Sequence, residues 1–164
     1  MEIRPEQPGD EREIANVIEA AFLLAKHRDG TEAQIVERLR GAGELTLSLV
    51  AIDNKAAVIG HSAFSPVTID GADLGWFGLG PVAVLPDRQD NGIGSALIRE
   101  GLNRLQGGGA AGCVVVGEPH YYRRFGFTIG DSLLYPGVPP EYFQAIAFGG
   151  KMPAGIVAYR PAFG

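Results

Sequence analysis

The residues from Val82 to Leu97 read V-A-V-L-P-D-R-Q-D-N-G-I-G-S-A-L, and they predict a strand, a polar turn and the start of a helix. The apolar run ends at Pro86, and a polar loop spans 87–91. Gly92 and Gly94 then open an apolar segment with helical spacing. The first N–H groups of a helix lack intrahelical partners and carry partial positive charge, and glycine lets a ligand approach the backbone closely. This stretch therefore predicts a binding site for a phosphate or a pyrophosphate.

The composition limits the class of protein. With 164 residues, the chain is expected to form one domain over residues 1–164 with a substantial core. No stretch approaches the roughly 18–20 apolar residues of a membrane span, and the start lacks the layout of a secretory signal. A formal net charge of −5 without a basic stripe argues against nucleic acid as the main partner. Cys113 is the only cysteine, so we expect a buried small hydrophobe and a reducing cytoplasm.

Apolar periodicity and turn signals divide the chain into alternating elements. After a short first strand, the capping patterns at Asp10–Glu13 and Thr31–Gln34 predict two helices. The pattern then predicts strands at 45–52, 57–69 (bent near Pro66), 74–85 and 113–116, with closing strands at 127–129 and 156–159 around an irregular piece. Helices are predicted over 95–106 and 119–125. Gly101 inside the first of these costs roughly 1 kcal/mol against alanine, which predicts close packing of that helix on the sheet.

Two motifs resemble one known family. Gln89–Gly94 is similar to the Arg/Gln-x-x-Gly-x-Gly/Ala signature of the GNAT acetyltransferase superfamily, and 121–127, Y-Y-R-R-F-G-F, resembles its later tyrosine element. The order and spacing of these parts match, and the version with G-E-P-H before the tyrosines looks most like the bacterial N-acetyltransferases called YhbS-like. The resemblance implies an α/β (α+β) GNAT fold: a mixed, twisted sheet of about six to seven strands with helices on both faces and strands four and five splayed apart.

The resemblance implies acetyl-CoA as the donor, with no metal. It implies that the backbone of the fourth strand binds the pantetheine arm and that the amides of 89–95 hold the pyrophosphate. Asp90 departs from the family pattern because it adds negative charge to this loop, which Arg88 could offset. The implied donor-binding residues are Val82, Ala83, Val84, Arg88, Gln89, Asp90, Asn91, Gly92, Ile93, Gly94, Ser95 and Tyr122.

Acetyl transfer to an amine needs a polarised thioester carbonyl, a neutral amine and a proton for the leaving thiolate. A backbone N–H near Val82 is a candidate for the first requirement. Tyr122 matches the family tyrosine that protonates the thiolate, and its alternative role is packing against the pantetheine arm. Tyr121 is expected to be a core residue.

The sequence offers three side chains as the base that deprotonates the amine. His61 lies mid-strand and is expected to be a structural histidine. Glu118 follows a buried strand, where open α/β sheets place their sites, or caps the next helix. His120 is expected to be exposed, so a water relay is the preferred hypothesis.

Other side chains have a structural and a functional interpretation. The sequence leaves two roles open for Arg123 and Arg124, which are contact with CoA phosphates and a solvated helix face. It also leaves two roles open for Phe64, Trp76 and Phe77, which are the lining of an acceptor pocket and the core. Residues 27–29 lie where the family meets its acceptor, or form a surface loop.

The resulting hypothesis is an N-acetyltransferase that acetylates a primary amine of a small molecule or peptide by direct attack. We expect no nucleic-acid or membrane partner, and a homodimer is possible. The alternative is a non-catalytic acyl-CoA-binding or sensor module. A dinucleotide-dependent oxidoreductase is disfavoured because no Gly-x-Gly-x-x-Gly follows the first strand.

Overall fold

The structure is a computed structural model that describes residues 1–23 and 31–164. Nine strands and four α-helices are defined within these residues. In chain order they are β1 (Glu2–Pro5), α1 (Glu11–Leu23), α2 (Glu32–Gly41), β2 (Leu47–Ile52), β3 (Val58–Pro66), β4 (Thr68–Ile69), β5 (Trp76–Val84), α3 (Ile93–Gly107), β6 (Gly112–Val116), α4 (Pro119–Tyr122), β7 (Leu133–Leu134), β8 (Phe143–Ala147) and β9 (Gly155–Ala158).

A six-stranded mixed sheet forms the centre of the fold, in the order β1-β2-β3-β5-β6-β8. Every neighbouring pair is antiparallel except β5 and β6, which are parallel. Helices cover both faces: α1 and α2 bury Ile14, Val17 and Val36 against one face, and α3 buries Ile93 and Leu97 against the other. The expected mixed sheet with helices on both faces is confirmed.

The parallel pairing of β5 and β6 stops halfway along β5. Their register runs from Trp76 opposite Gly112 to Leu79 opposite Val115 and goes no further. On its other edge, β5 carries a bulge, because Ser62 and Phe64 of β3 pair with Val82 and Leu79, which leaves one extra residue in β5. The two strands diverge beyond this point, so the predicted splay is confirmed; strands four and five of the prediction are β5 and β6, since the short β4 precedes them.

Close packing of α3 on the sheet explains Gly101. A Cβ atom added at Gly101 would overlap the ring of Phe64, which is fully buried on β3. The helix itself runs Ile93–Gly107, slightly longer than the predicted 95–106. The expectation that Gly101 marks a tight helix–sheet contact is confirmed.

Two predictions about the C-terminal third are wrong, and a third is confirmed only in part. Residues 127–129 form no strand, only a bridge in which Thr128 and Ala145 exchange backbone hydrogen bonds of 2.9 Å. Their apolar pattern arises because Phe127 is buried in the core. The closing strand of the sheet is instead β8, inside the segment predicted to be irregular, and Pro140 opens a 3₁₀ turn immediately before it. The strand predicted at 156–159 is present as β9, but it is the central strand of a separate three-stranded sheet, β4-β9-β7, and does not close the main sheet.

The first capping pattern predicts the start of α1 correctly, but its two side chains make other contacts than those of a capping box. Helix α1 begins directly after Asp10, whose carbonyl accepts the N–H of Ile14 at 3.0 Å. The Asp10 carboxylate, however, pairs with Arg4 at 2.7 Å, and the Glu13 carboxylate accepts the N–H of Val58 at 3.0 Å. The two acids therefore tie α1 to the sheet.

Candidate functional site

A cleft of about 480 Å³ opens where β5 and β6 diverge. Its walls come from the second half of β5, the loop that follows it, the first turn of α3, and α4. The lining residues are Val82, Val84, Arg88, Gln89, Asp90, Gly92, Ile93, Gly94, Ser95, Tyr121, Tyr122 and Arg124.

The β5 wall presents backbone groups to this cleft. The N–H of Leu85 donates to Ile59 at 2.9 Å, toward β3. Because successive residues of a strand direct their N–H and C=O groups to opposite edges, Val82 and Val84 direct theirs toward the cleft. The Val84 carbonyl accepts a hydrogen bond of 3.1 Å from the Gln89 side chain. The cleft edge of β5 can therefore bond an extended polar ligand.

The first turn of α3 forms the second wall. Gly92 is the N-cap residue at φ 78°, and its carbonyl accepts the N–H of Ala96 at 3.0 Å. The N–H groups of Ile93, Gly94 and Ser95 precede the first intrahelical bond, so they can bind an anion. A Cβ added at Gly92 would meet no atom within 4 Å, so conformation rather than space favours glycine there.

The loop between β5 and α3 is held by its own side chains. Residues 86–88 form a 3₁₀ turn, and the Asn91 amide donates to the Arg88 carbonyl at 3.2 Å. Asp90 adopts φ 67° and its exposed side chain lines the cleft. The loop thus brings one negative side chain next to the proposed anion site.

Two arginines line the same cleft as Asp90. Arg88 pairs with Asp53 at 3.2 Å, and the Asp53 carboxylate also accepts the N–H groups of Ala57 and Lys55 at 2.9 Å. These backbone hydrogen bonds, with Arg88 nearby, lower the pKa of Asp53 below its usual value. Arg124 lies over the Tyr121 ring at 4.6 Å and donates from Nε to the Tyr121 carbonyl at 2.9 Å.

Tyr121 and Tyr122 occupy different parts of the cleft. The Tyr121 hydroxyl reaches the first turn of α3, 3.5 Å from the Ser95 Oγ. The Tyr122 ring packs directly on Gly117 and meets Tyr121 and Phe127 edge to face, with ring centroids 5.0 and 5.9 Å away. Burial raises the pKa of Tyr122 to about 12, so its phenol keeps its proton at neutral pH.

The three candidate bases lie away from the cleft. His61 is fully buried on β3, with Nε2 2.7 Å from the Ser48 Oγ, and burial lowers its pKa to about 4. Glu118 is the N-cap of α4 and accepts the N–H of His120 at 3.4 Å, and His120 is exposed. His61 is thus buried, Glu118 caps α4 and His120 is exposed, while His61 Nδ1 has no hydrogen-bond partner among the described residues.

The remaining candidate residues divide into buried core residues, residues that line the cleft and exposed residues outside it. Phe64 and Trp76 are core residues, and Cys113 is fully buried, as expected. The Ala83 side chain is buried and its backbone faces β3, so only its neighbours Val82 and Val84 face the cleft. Arg123 is exposed outside the cleft lining. The candidates at 27–29 lie outside the described residues.

The sequence analysis missed Tyr121 as a cleft residue, and for Arg124 it left a CoA contact and a solvated helix face both open. Tyr121 and Tyr122 are the last two residues of α4, and adjacent helical side chains project about 100° apart. The adjacent pair therefore carried a signal that the two hydroxyls lie in different surroundings.

The described residues show no sign of two other kinds of site. In residues 1–23 and 31–164, no helix combines the length and the apolar character that crossing a membrane requires. Within the same ranges, no group of three or more His, Cys, Asp or Glu side chains is placed to hold a metal ion.

Known proteins share both the sequence and the fold. An uncharacterized N-acetyltransferase, YhbS of Escherichia coli K12, is 43% identical over 109 residues, which cover 66% of this chain and 65% of YhbS. The matched region thus spans slightly less than two thirds of that relative.

Two solved structures superpose over nearly the whole chain. A GNAT family acetyltransferase from Brucella melitensis in complex with acetyl-CoA has a TM-score of 0.90 and 53% identity, covering 99% of this chain and 97% of its own. The structure of E. coli YhbS in complex with CoA has a TM-score of 0.89 and 36% identity. The match covers 99% of this chain and 91% of the YhbS chain. Residues 2–130 match the acetyltransferase (GNAT) domain family. The chain belongs to the GNAT acetyltransferase family.

Proposed function

We propose that this protein is an N-acetyltransferase that transfers the acetyl group of acetyl-CoA to a primary amine of a small molecule or a peptide. One observation carries the proposal: the open backbone edge of β5 and the N-terminus of α3 meet in a single cleft. An extended amide-containing arm that ends in a pyrophosphate matches both walls at once. The Brucella relative, 53% identical, is in complex with acetyl-CoA.

The donor-binding groups follow from the geometry of the two walls. Backbone groups of Val82 and Val84 bond the pantetheine arm along β5. The N–H groups of Ile93, Gly94 and Ser95 bind the pyrophosphate, and Arg88 and Arg124 add positive charge that offsets Asp90. Tyr121 contributes its hydroxyl beside the first turn of α3. The backbone is open at Gly92, so the residues present fit this ligand.

The reaction joins the amine nitrogen to the acetyl carbon as the bond between that carbon and sulfur breaks. The backbone N–H of Val82 polarises the thioester carbonyl, and the walls of the cleft align the two reactants. The phenol of Tyr122 donates a hydrogen bond to the leaving sulfur, and the proton that the thiolate finally takes up comes from solvent.

The raised pKa of Tyr122 sets limits on that proton transfer. A pKa of about 12 keeps the phenol protonated in the resting site. An ordinary thiol has a pKa near 8.5, so complete transfer from Tyr122 is uphill by roughly 5 kcal/mol. Tyr122 therefore acts chiefly as a hydrogen-bond donor to sulfur as negative charge develops, with solvent supplying the proton in the end.

The amine loses its proton to water. His61, Glu118 and His120 lie away from the cleft lining, so none of them faces the reacting atoms. A primary amine with a pKa near 10.4 is mostly protonated at neutral pH, and the rate should rise with pH as the neutral fraction grows.

Two measurements on the purified protein test the proposal. Calorimetry with acetyl-CoA should show binding, and a thiol-release assay against a panel of small amines and peptides should show turnover with at least one acceptor. Binding without turnover across the panel would instead support an acyl-CoA-binding or sensor module. No binding of acetyl-CoA would overturn both functions.

A further inference from the structure

Gly117, between β6 and α4, is fixed on both sides of its peptide backbone. Its N–H donates to the Tyr142 carbonyl at 2.9 Å, and its carbonyl accepts the Gln144 side-chain amide at 3.0 Å. A Cβ added at Gly117 would overlap the Tyr122 ring. Gly117 is therefore both a constrained backbone point and the surface on which the Tyr122 ring rests.

The orientation of the Gln144 amide follows from its partner. A carbonyl oxygen can only accept, so the NH₂ group of Gln144 must face Gly117. Gln144 is 1% exposed, and its Oε1 has no hydrogen-bond partner among the described residues. Burying an amide that is only half satisfied is costly, and an apolar side chain opposite Val115 would avoid that cost.

The other contacts of Tyr122 are aromatic and carry little directional information. Tyr121, Phe125 and Phe127 surround its ring at centroid distances of 5.0, 6.2 and 5.9 Å. Edge contacts of this kind tolerate sliding, whereas a hydrogen-bonded backbone surface does not. The depth of the phenol in the cleft therefore depends on where Gly117 is held.

We infer that Gln144 is a positioning residue, which fixes Gly117 and through it sets the phenol of Tyr122 against the sulfur end of the cleft. This inference rests on the proposed function for its kinetic consequence, but not for its structural one. Gln144 itself is packed between β6 and α4 and touches no reacting atom.

The test uses Gln144→Met, which keeps the length and approximate volume of the side chain but has no donor. The expected result is a loss of roughly tenfold in kcat, since a displacement of about 1 Å can cost up to 10²-fold. The KM for acetyl-CoA and its affinity by calorimetry should stay within about twofold, because the donor walls are untouched.

Ile146→Val is the matched control. Ile146 lies on the same strand and the same face, two residues from Gln144, and its apolar side chain has no group that can bond the Gly117 carbonyl. Ile146→Val trims the core that Tyr122 also packs against, but it leaves the hydrogen bond from Gln144 to Gly117 in place, so kcat should be unchanged. An equal loss of kcat in both variants would show a general packing effect and would overturn the inference.

A spectroscopic test of the same inference needs no acceptor substrate. In protein labelled with ¹³C at tyrosine Cζ, the Tyr122 resonance is assigned by comparison with Tyr122→Phe. Gln144→Met should shift this resonance clearly more than Ile146→Val does, because only Gln144→Met removes the hydrogen bond to Gly117. An unmoved Tyr122 signal in Gln144→Met overturns the inference even if the protein acetylates nothing; a moved signal with no turnover upholds it while the proposed activity fails.

Discussion

The Tyr121 hydroxyl lies 3.5 Å from the Oγ of Ser95, at the point where the N-terminus of α3 opens into the cleft. We expect Tyr121→Phe to weaken acetyl-CoA binding by about fivefold, since one hydrogen bond contributes roughly 1 kcal/mol. The variant should leave kcat unchanged because this hydroxyl is at the phosphate end. Calorimetry and saturation kinetics measure the two quantities, and an unchanged affinity contradicts the assignment.

The neighbouring tyrosine should behave in the opposite way. Tyr122→Phe removes the only polar atom of a ring whose burial raises its pKa to about 12. We expect kcat to fall by about 10²-fold, at the low end of general acid–base effects, with little change in acetyl-CoA affinity. Turnover equal to that of the unmodified protein on a verified acceptor would leave Tyr122 with a packing role only.

Asp90 should weaken donor binding because it adds negative charge beside an anion site. We expect Asp90→Asn to tighten acetyl-CoA binding about fivefold at low salt, and asparagine tolerates the φ of 67° at this position. The difference should shrink at high salt because exposed charges are screened. Asp87→Asn is the control, since Asp87 is exposed in the same loop but does not line the cleft.

Gly92 offers a controlled test of the phosphate loop. Gly92 and Gly43 have φ values of 78° and 70°, and at neither position would a Cβ meet an atom within 4 Å. Alanine in this conformation costs about 1–2 kcal/mol at each site. Both alanine variants should therefore lose similar stability in urea, but only Gly92→Ala should lose tenfold or more in acetyl-CoA affinity. Equal affinities would show that the loop is not the binding site.

His61 predicts a pH dependence of stability. Its folded pKa of about 4 lies below the ordinary value of 6.5, because burial disfavours the charged ring. The unfolded chain therefore binds more protons between these values, and stability falls as the pH drops from about 6.5 to about 4.

The loss expected from His61 is about 3 kcal/mol across this window. Glu6, whose carboxylate accepts from Ser48 at 2.7 Å and pairs with Arg40, adds its own loss at lower pH because hydrogen bonds from these partners lower its pKa. Urea unfolding at several pH values measures the slope. His61→Gln should flatten it between pH 6.5 and 4, and the exposed His120→Gln should not.

Most of the fold could be predicted from residues with strong local signals. Gly101 indicated the close packing of α3 on the sheet, where the structure places Phe64, and the residues from Val82 onward predicted the order of strand, loop and helix. Strand β8 was missed because the prolines at 136, 139 and 140 suggested a continuous loop. In the structure they end just before Phe143, whose strand is then specified by pairing with β6, a contact distant in sequence.

The residues of the candidate site also divide into those with a clear signal in the sequence and those without one. The loop glycines stood out because they precede a helix, and Tyr122 stood out because it matches the tyrosine element of the family. For Arg124 the sequence left two interpretations open, because its place in the cleft lining depends on how α4 packs against the rest of the fold. The proposed support of Tyr122 by Gln144 could not be predicted from the sequence either, because 27 residues separate Gln144 from the Gly117 carbonyl it bonds.

The divergence of β5 from β6 leaves an open edge inside a sheet, and open edges invite pairing with a second polypeptide. Here the edge begins at a bulge that contains Pro81, which has no N–H to offer and interrupts a regular ladder. A full strand therefore cannot extend through the gap, whereas a slender chain with a few amides can. The same irregularity that leaves room for an extended ligand therefore disfavours pairing of this edge with a second polypeptide strand, and in the proposed function the donor takes the place of that strand.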